Sequence, residues 1–240
     1  MNYNWNWRIF FEPSPEGTGT YADMLLSGLS WTIATALCSW IIAFSLGSLI
    51  GVLRTLPSRG AQRVGTTYVE LFRNIPLLVQ MFLWFYVVPE ILPGSWGTWL
   101  KQLPNSSFYT AVICLGFFTA SRVAEQVRTG IETLPRGQRM AGTALGLTTW
   151  QTYRYVLLPN AYRVILPPLT SEFLNNLKNT SVALTIGLLE LTARARSMQE
   201  FSSQVFESFT AATVIYLGIS LIVVTLSSKL ETRIAVPGSR

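Results

Sequence analysis

Polar side chains interrupt a long apolar stretch of this sequence between about residues 164 and 191. The polar run consists of Ser171, Glu172, Asn175, Lys178, Asn179, Thr180 and Ser181. Ser171, Asn175 and Lys178 recur at a spacing of i, i+4 and i+7, which places them on one face of a helix, and Glu172, Asn176 and Asn179 form the adjacent stripe. Such a face can line a path for a polar solute, or it can form a structural hydrogen-bond network, and the sequence leaves both interpretations open.

Arg122 is another ionisable residue that lies deep within an apolar stretch. It follows Phe108, where that stretch begins, by about 21 Å at a rise of 1.5 Å per residue. An ionisable residue at membrane depth is costly and is therefore a functional candidate. The guanidinium could offer a fork to a substrate carboxylate, pair with Glu125 three residues later, or snorkel towards the membrane surface.

The composition is that of a protein whose solvent is lipid. Half of the residues are hydrophobic, 12% are charged and the mean hydropathy is +0.36, whereas soluble domains carry about 25% charged residues. The chain contains no histidine, which excludes histidine metal sites and Ser-His or Cys-His catalysis. Cys38 and Cys114 lie in apolar runs, so we expect two buried thiols.

Five stretches are long and apolar enough to cross a membrane, which takes about 20 residues. They cover approximately residues 24–53, 67–92, 108–127, 164–191 and 209–226. Thr20 and Asp23 predict a capping box at the start of the first stretch. Within that stretch Ala43, Gly47 and Gly51 recur every four residues, a pattern that lets two helices approach closely.

Positive charge alternates between the segments outside these stretches. Residues 54–73, residues 122–163 and the C-terminal tail carry net charges of +3, +4 and +2, whereas the other three segments carry −2, 0 and −1. Since cytoplasmic connections are enriched in Lys and Arg, the pattern predicts an outside N-terminus and a cytoplasmic C-terminus. Residues 1–20, with Trp5 and Trp7, are expected to form an interfacial segment, and residues 21–240 a single transmembrane domain.

The longest inner connection, about residues 134–162, predicts two short helices hinged at Gly146. The stretch from Arg136 to Leu145 can be helical, with Gly146 as its C-terminal stop. Thr148 and Gln151 predict a capping box at the start of the second helix.

This connection resembles the conserved cytoplasmic loop of ABC importer permeases. The matching residues are Gly137, Gln138, Ala141, Leu145, Gly146, Leu147, Leu158, Pro159 and Ala161. VELFRNIPLLVQ at 69–80 and LKNTSVALTIGLLEL at 177–191 resemble motifs of polar amino-acid permeases, and FFTASRVAEQVR at 117–128 is most similar to the glutamate/aspartate type. The chain departs from the family where Met140, Ala141 and Gly142 replace a frequent Glu-Ala-Ala.

The resemblance implies an all-α type I ABC importer permease fold with five transmembrane helices. It implies a multi-pass subunit of the bacterial inner membrane that translocates polar amino acids, with glutamate or aspartate expected. The matched loop residues would couple the chain to an ATPase, and Arg122 with the polar run would form the substrate pathway.

The implied partners are a second permease, a paralogue rather than an identical copy, an ATP-binding-cassette ATPase dimer and a periplasmic amino-acid-binding protein. The chain lacks a G-x-x-x-x-G-K-[ST] loop for phosphate. We therefore expect it to be no enzyme and to hold no cofactor, with ATP and Mg bound by the partner ATPase. The alternatives are an ion-coupled secondary amino-acid transporter or channel, which would need no docking loop, and an intramembrane enzyme.

Overall fold

The computed structural model of the protein describes residues 3–15, 17 and 19–234, and this part of the chain is helical almost throughout. Its α-helices are α1 (Tyr21–Thr55), α2 (Arg59–Asn74), α3 (Leu77–Phe82), α4 (Val88–Ile91), α5 (Trp96–Gln102), α6 (Ser106–Glu132), α7 (Arg136–Ala144), α8 (Thr149–Thr152), α9 (Leu158–Asn179), α10 (Leu191–Ser202) and α11 (Val205–Ile234). Short 3-10 helices cover Trp7–Phe11 and Thr180–Ile186, and π-helical turns cover Leu83–Val87 and Tyr153–Leu157. The predicted all-α class is confirmed for these residues.

Three helices, α1, α6 and α11, are each long and apolar enough to cross a membrane, within the described residues. The stretch α2 to α4 would be a fourth such element, but it is bent by 100°. The polar helix α9, which corresponds to the fourth of the five predicted spans, is not among these apolar elements. Length and composition in the structure therefore support three or four spans.

The predicted continuous helix over residues 67–92 is wrong. Helix α2 ends at Asn74, Ile75 is extended with φ −97° and ψ 126°, and α3 begins after Pro76. A proline disfavours the helical conformation of the residue before it, so Pro76 explains the break.

Two further prolines are accommodated inside helices by π-turns. Pro89 and Pro159 each follow a π-turn by two residues, and each lacks the N–H that a helix interior requires. The wider turn at Tyr153–Leu157 joins α8 to α9 without interruption. The second short helix predicted in the cytoplasmic loop is therefore the first part of a longer helix, which corrects that prediction.

Contacts divide the chain into two compact units. Unit 1 comprises Met1–Trp40, Pro76–Leu115 and Asn175–Ile222, and unit 2 comprises Ile41–Ile75, Gly116–Leu174 and Val223–Arg240. In unit 1, Met81, Ala111 and Leu115 are buried in one apolar cluster with Cys114. Cys38 is exposed, so the prediction of two buried thiols is wrong for it. Because α1 is apolar on all sides, the sequence did not distinguish its outward positions from its buried ones.

In unit 2, α1 and α6 approach closely at the predicted small residues. A Cβ atom added to Gly47 would lie 2.6 Å from the Val123 Cβ, and one added to Gly51 would lie 2.7 Å from the Val127 Cβ. Ala43 is fully buried. The predicted close helix contact is confirmed, and any larger side chain at either glycine would force the helices apart.

The start of α1 is fixed as the sequence predicts. The Thr20 N–H donates to Asp23 Oδ2 at 2.8 Å, and the Asp23 N–H donates to Thr20 Oγ1 at 3.3 Å, which completes the capping box. Two charges used in the orientation prediction, on Glu16 and Arg240, lie outside the described residues. The same holds for parts of the predicted 1–20 segment and for the last six residues of the predicted domain.

Candidate coupling surface and pathway residues

Helix α7 ends in a Schellman motif at Gly146. The Gly146 N–H donates to the Thr143 carbonyl and the Leu147 N–H donates to the Gly142 carbonyl, both at 3.0 Å. Gly146 adopts φ +75°, the left-handed conformation that this motif requires and that glycine adopts without a Cβ penalty. The predicted helix stop at Gly146 is confirmed.

The chain re-enters helix at the predicted capping box. The Gln151 N–H donates to Thr148 Oγ1 at 3.3 Å, and the Thr148 N–H donates to Gln151 Oε1 at 2.8 Å. The following residue, Thr152, packs against α7, where a Cβ at Gly142 would lie 3.0 Å from Thr152 Cγ2. The Tyr153 hydroxyl then donates to the Thr55 carbonyl at 2.7 Å, which anchors this region to the end of α1.

The residues matched to the cytoplasmic loop of permeases divide by exposure. Gly137, Ala141, Leu145, Gly146 and Pro159 are exposed, Gln138, Leu147 and Leu158 are partly buried, and Ala161 is buried. Leu145 is 80% exposed, far more than a leucine retains in a packed interior. Most of the matched residues therefore lie on an outer surface of unit 2 rather than in its core.

This surface is both apolar and basic. The large exposed apolar residues on it are Met140, Leu145, Trp150 and Tyr155. Between Glu132 and Glu172 the sequence contains four arginines and no carboxylate side chain. An exposed apolar patch rimmed by polar groups is typical of a protein interaction site, and the arginines favour an acidic rim on the partner.

A second group of arginines was not found from the sequence. Glu125 accepts hydrogen bonds from Arg54 Nη1 at 2.5 Å and from Arg128 Nη1 at 3.2 Å, and Arg73 Nη1 lies 3.7 Å from its carboxylate. The Arg54 side chain is only 8% exposed. The cluster connects α1, α2 and α6 within unit 2. The only sequence feature that pointed to this cluster was Arg54, which lies in the last turn of the apolar helix α1.

Arg122 does not pair with Glu125, contrary to one of the three interpretations of the sequence. Its side chain is exposed, and its Cζ lies 5.1 Å from the centre of the Phe118 ring, one turn earlier on α6. Among the described residues Arg122 forms no ion pair. Its fork of donors is thus available to a ligand.

Helix α9 separates its polar residues by side. Ser171, Asn175 and Lys178 are exposed. Asn176 is fully buried and donates from Nδ2 to the Ala36 carbonyl at 3.0 Å and to Ser39 Oγ at 2.8 Å. The structural interpretation therefore holds for Asn176, which ties the helix to α1, whereas the exposed side of the helix stays a prediction as a lining of the path.

The remaining predicted pathway residues differ in their hydrogen bonding. The Thr180 hydroxyl donates to the Leu177 carbonyl and the Ser181 hydroxyl to the Lys178 carbonyl. Both donors are thus used within the local backbone. Asn179 ends α9 and is partly buried, as is Glu172. Glu172 Oε2 is buried without a hydrogen-bond partner among the described residues.

No group of three or more metal-binding side chains occurs within the part of the chain that the structure describes. The described residues offer exposed surfaces and polar side chains that can bind a partner or a polar solute.

Comparison with known proteins agrees with these features. The chain is 49% identical over 242 residues to the glutamate/aspartate import permease protein GltJ of Escherichia coli K12, covering 100% of this chain and 98% of that protein. It is 31% identical to the glutamate/aspartate import permease protein GltK of Escherichia coli O6:H1, covering 88% of this chain and 93% of that protein.

Solved structures give the same fold. An amino acid ABC transporter determined with histidines matches with a TM-score of 0.75 at 29% identity, covering 89% of this chain and 95% of that one. The MetNI methionine ABC transporter matches with a TM-score of 0.73 at 18% identity, covering 93% of this chain and 100% of that one, which supports the fold alone. The protein therefore has the all-helical fold of type I ABC importer permeases.

The family model described as "Binding-protein-dependent transport system inner membrane component" matches residues 23–236, and the chain therefore belongs to this family of inner-membrane permease subunits of ABC importers.

Proposed function

We propose that this permease subunit translocates glutamate and aspartate. The observation that carries the proposal is 49% identity, over the whole chain, to a permease named for glutamate/aspartate import. Two residues of the described structure support it as well. Arg122 and Lys178 are exposed cations on helices with apolar surroundings, and such residues rarely persist in a membrane without a partner or a role.

The proposed pathway consists of Arg122, Ser171, Glu172, Asn175, Lys178, Asn179, Thr180 and Ser181. In it, a guanidinium or ammonium group would pair with the substrate carboxylate, and the exposed Ser171 and Asn175 side chains would supply hydrogen bonds. The Ser181 hydroxyl donates to the backbone, so its oxygen would act as an acceptor. Thr180 is fully buried and would support the pathway from within the protein. The binding protein would first select the amino acids that it delivers, and the pathway would then discriminate among them by charge.

The proposed coupling surface is the exposed loop around Gly146, with the residues matched to the permease loop. Its apolar patch and its arginines suit a cleft with an acidic rim on an ATPase subunit. ATP and Mg would be bound by that ATPase subunit. This chain would supply only the surface through which the conformational change of the ATPase reaches the permease. The family membership favours this importer over an ion-coupled carrier or channel.

The second permease of the complex is proposed to be a paralogue. One strain, Escherichia coli O6:H1, has two different permeases named for glutamate/aspartate import, and both resemble this chain. A periplasmic amino-acid-binding protein would deliver the substrate. We further propose five spans with the N-terminus outside, because the polar helix α9 can cross a membrane when its exposed face lines the pathway. Residues 1–20 would form an interfacial segment and residues 21–240 one permease domain.

Transport by the reconstituted complex tests the proposed substrate. Proteoliposomes with both permeases, the ATPase and the binding protein should accumulate labelled glutamate and aspartate when ATP is supplied. Replacement of Arg122 by Gln should reduce glutamate uptake at least about tenfold, because a charge-assisted hydrogen bond contributes roughly 1.5–3 kcal/mol.

The matched control is Arg122→Lys, which keeps the charge and should retain more uptake than Arg122→Gln. The affinity of the isolated binding protein is measured alongside and should be the same in every case. Uptake of glutamine in preference to glutamate would contradict the proposed substrate. Unchanged glutamate uptake by an assembled Arg122→Gln complex would remove Arg122 from the pathway.

A further inference from the structure

Helix α2 presents three distinct faces along its length. Gly65 and Val69 are buried on one face, where Val69 packs in a cluster with Ile50 and Ala124 of unit 2. A Cβ at Gly65 would lie 2.5 Å from Arg54 Cγ, so this face sits directly on the end of α1. The helix is therefore held firmly on one side, and its other two faces are open.

The second face is apolar and exposed. Val64 is 67% exposed and Leu71 is 54% exposed. Seven residues separate them, which is two helical turns, so both side chains lie on one line along the helix. Exposure of such a line of aliphatic side chains to water is unfavourable.

The third face carries two arginines and neutral polar side chains, and no carboxylate, over its first two turns. A shallow groove there is lined by Arg59, Gln62, Arg63, Thr66 and Thr67. Arg59 and Arg63 form no ion pair within the described residues, in contrast to Arg73 at the other end of the helix. The nearest carboxylate on this face belongs to Glu70, about one turn beyond Thr66 at 3.6 residues per turn.

We infer that this groove of α2 binds the phosphate headgroup of an anionic phospholipid, with Val64 and Leu71 in contact with the acyl chains. A helix with an apolar face beside a basic face lies in a membrane interface and is attracted to anionic lipids. Adjacent residues on a helix point 100° apart, so Arg63 and Val64 would reach the headgroup and acyl regions of the same lipid.

The charge of the groove supports a lipid over a protein occupant. Two guanidinium groups that form no ion pair among the described residues fit the oxygens of a phosphate, as do the hydroxyls of Thr66 and Thr67. Gln62 Nε2 already donates to the Leu56 carbonyl. Guanidinium binds phosphate through paired hydrogen bonds. The inference rests on the proposed function, since the span arrangement places α2 on the cytoplasmic side of the membrane. The lipid would then belong to the inner leaflet.

The test is a titration of the purified importer complex in a neutral detergent with phosphatidylglycerol or phosphatidylcholine, followed by native mass spectrometry. The wild type should bind phosphatidylglycerol in preference to phosphatidylcholine. The double variant Arg59→Gln/Arg63→Gln should weaken phosphatidylglycerol binding about 10- to 30-fold, at about 1 kcal/mol per arginine near an anionic surface.

Two matched variants separate the groove from charge in general. Arg59→Lys/Arg63→Lys keeps both charges and should retain most of the affinity. Arg8→Gln/Arg196→Gln removes two exposed arginines from other segments and should bind phosphatidylglycerol as the wild type does. Equal binding by the wild type and the Arg59→Gln/Arg63→Gln complex would overturn the inference. So would efficient disulfide cross-linking of a Val64→Cys variant to a cysteine on another subunit, since a protein would then cover the apolar face.

A separate measurement distinguishes this failure from a failure of the proposed arrangement. A Gln62→Cys variant in a Cys38→Ser, Cys114→Ala background should react with a membrane-impermeant maleimide only from the cytoplasmic side. Reaction only from outside would refute the proposed orientation, and the assignment of the lipid to the inner leaflet with it. If the wild type shows no preference for phosphatidylglycerol while the Gln62→Cys variant reacts only from the cytoplasmic side, the lipid site alone is refuted.

Discussion

Two groups of arginines lie in unit 2, and they differ in pairing and burial. Arg54, Arg73 and Arg128 surround the carboxylate of Glu125, and Arg54 is almost fully buried. The arginines of the loop between α6 and α9, such as Arg136, are exposed on a stretch that has no carboxylate side chain. The first group forms ion pairs within the chain, whereas the second group forms none among the described residues and is open to a partner.

The difference shows that a count of charges along the sequence identifies the positive connections but does not identify which arginines are paired within the chain. Both groups contribute to the positive connections from which we predicted the orientation of the chain. Pairing and burial then separate them, because a buried charge must be compensated inside the protein and an exposed one need not be. A positive connection therefore contains both arginines that are paired within the chain and exposed arginines that form no ion pair among the described residues.

The largest expected effect follows from removing the centre of the internal cluster. Glu125→Gln should destabilise the permease by on the order of 2 kcal/mol or more, because it leaves Arg54 charged and nearly buried without its counter-ion; breaking a fully buried pair costs about 3–5 kcal/mol, and Glu125 is partly exposed. Thermal unfolding of the purified complex measures the loss.

The matched control is Glu132→Gln, which removes a carboxylate that, among the described residues, pairs only with Arg128 at the surface. An exposed pair contributes about 0.5 kcal/mol, so this variant should unfold close to the wild type. Equal destabilisation by the two substitutions would show that the cluster around Glu125 is no more structural than a surface ion pair, and the comparison between the two arginine groups would lose its basis.

A smaller effect is expected in the docking loop, and it should appear in assembly rather than in global stability. Gly146→Val forces a β-branched side chain into φ +75°, and a left-handed conformation costs an ordinary residue about 1–2 kcal/mol. No atom lies within 4 Å of a Cβ built at Gly146, so the cost is purely conformational. We expect weaker co-purification of the ATPase and less stimulated ATP hydrolysis.

Gly146→Asn provides the control, since asparagine tolerates the left-handed conformation better than other residues with a side chain. It should retain most of the ATPase association. If Gly146→Val assembles and stimulates hydrolysis as well as Gly146→Asn, the turn at the end of α7 does not determine the docking shape.

The sequence was sufficient for features that depend on local chemistry. The capping boxes at Thr20 and Thr148, the stop at Gly146 and the close approach at Gly47 are each encoded by neighbours in sequence or by a helical repeat. They were predicted correctly, together with the all-α class. The permease family was also predicted correctly, because its motifs occur in order along the chain.

Features that depend on partners distant in the sequence were missed. The pairing of Arg54 with Glu125 spans 71 residues, and no local pattern indicates it. The π-turns before Pro89 and Pro159 were missed for a different, local reason. There the helix widens to relieve the clash of a proline ring with the preceding turn. Asn176 looked like part of the polar stripe, and its burial against Ala36 depends on how α9 packs on α1.

We propose that the exposed loop around Gly146 is the surface on which the ATPase docks. A photo-reactive amino acid at Leu145, which is 80% exposed, tests it directly in the assembled importer. The control position is Val214 on α11, which is 60% exposed and apolar. We predict that illumination joins position 145 to the ATPase subunit and that position 214 gives no such adduct. If position 145 forms an adduct with lipid or with the binding protein and none with the ATPase, this loop is not the surface on which the ATPase docks.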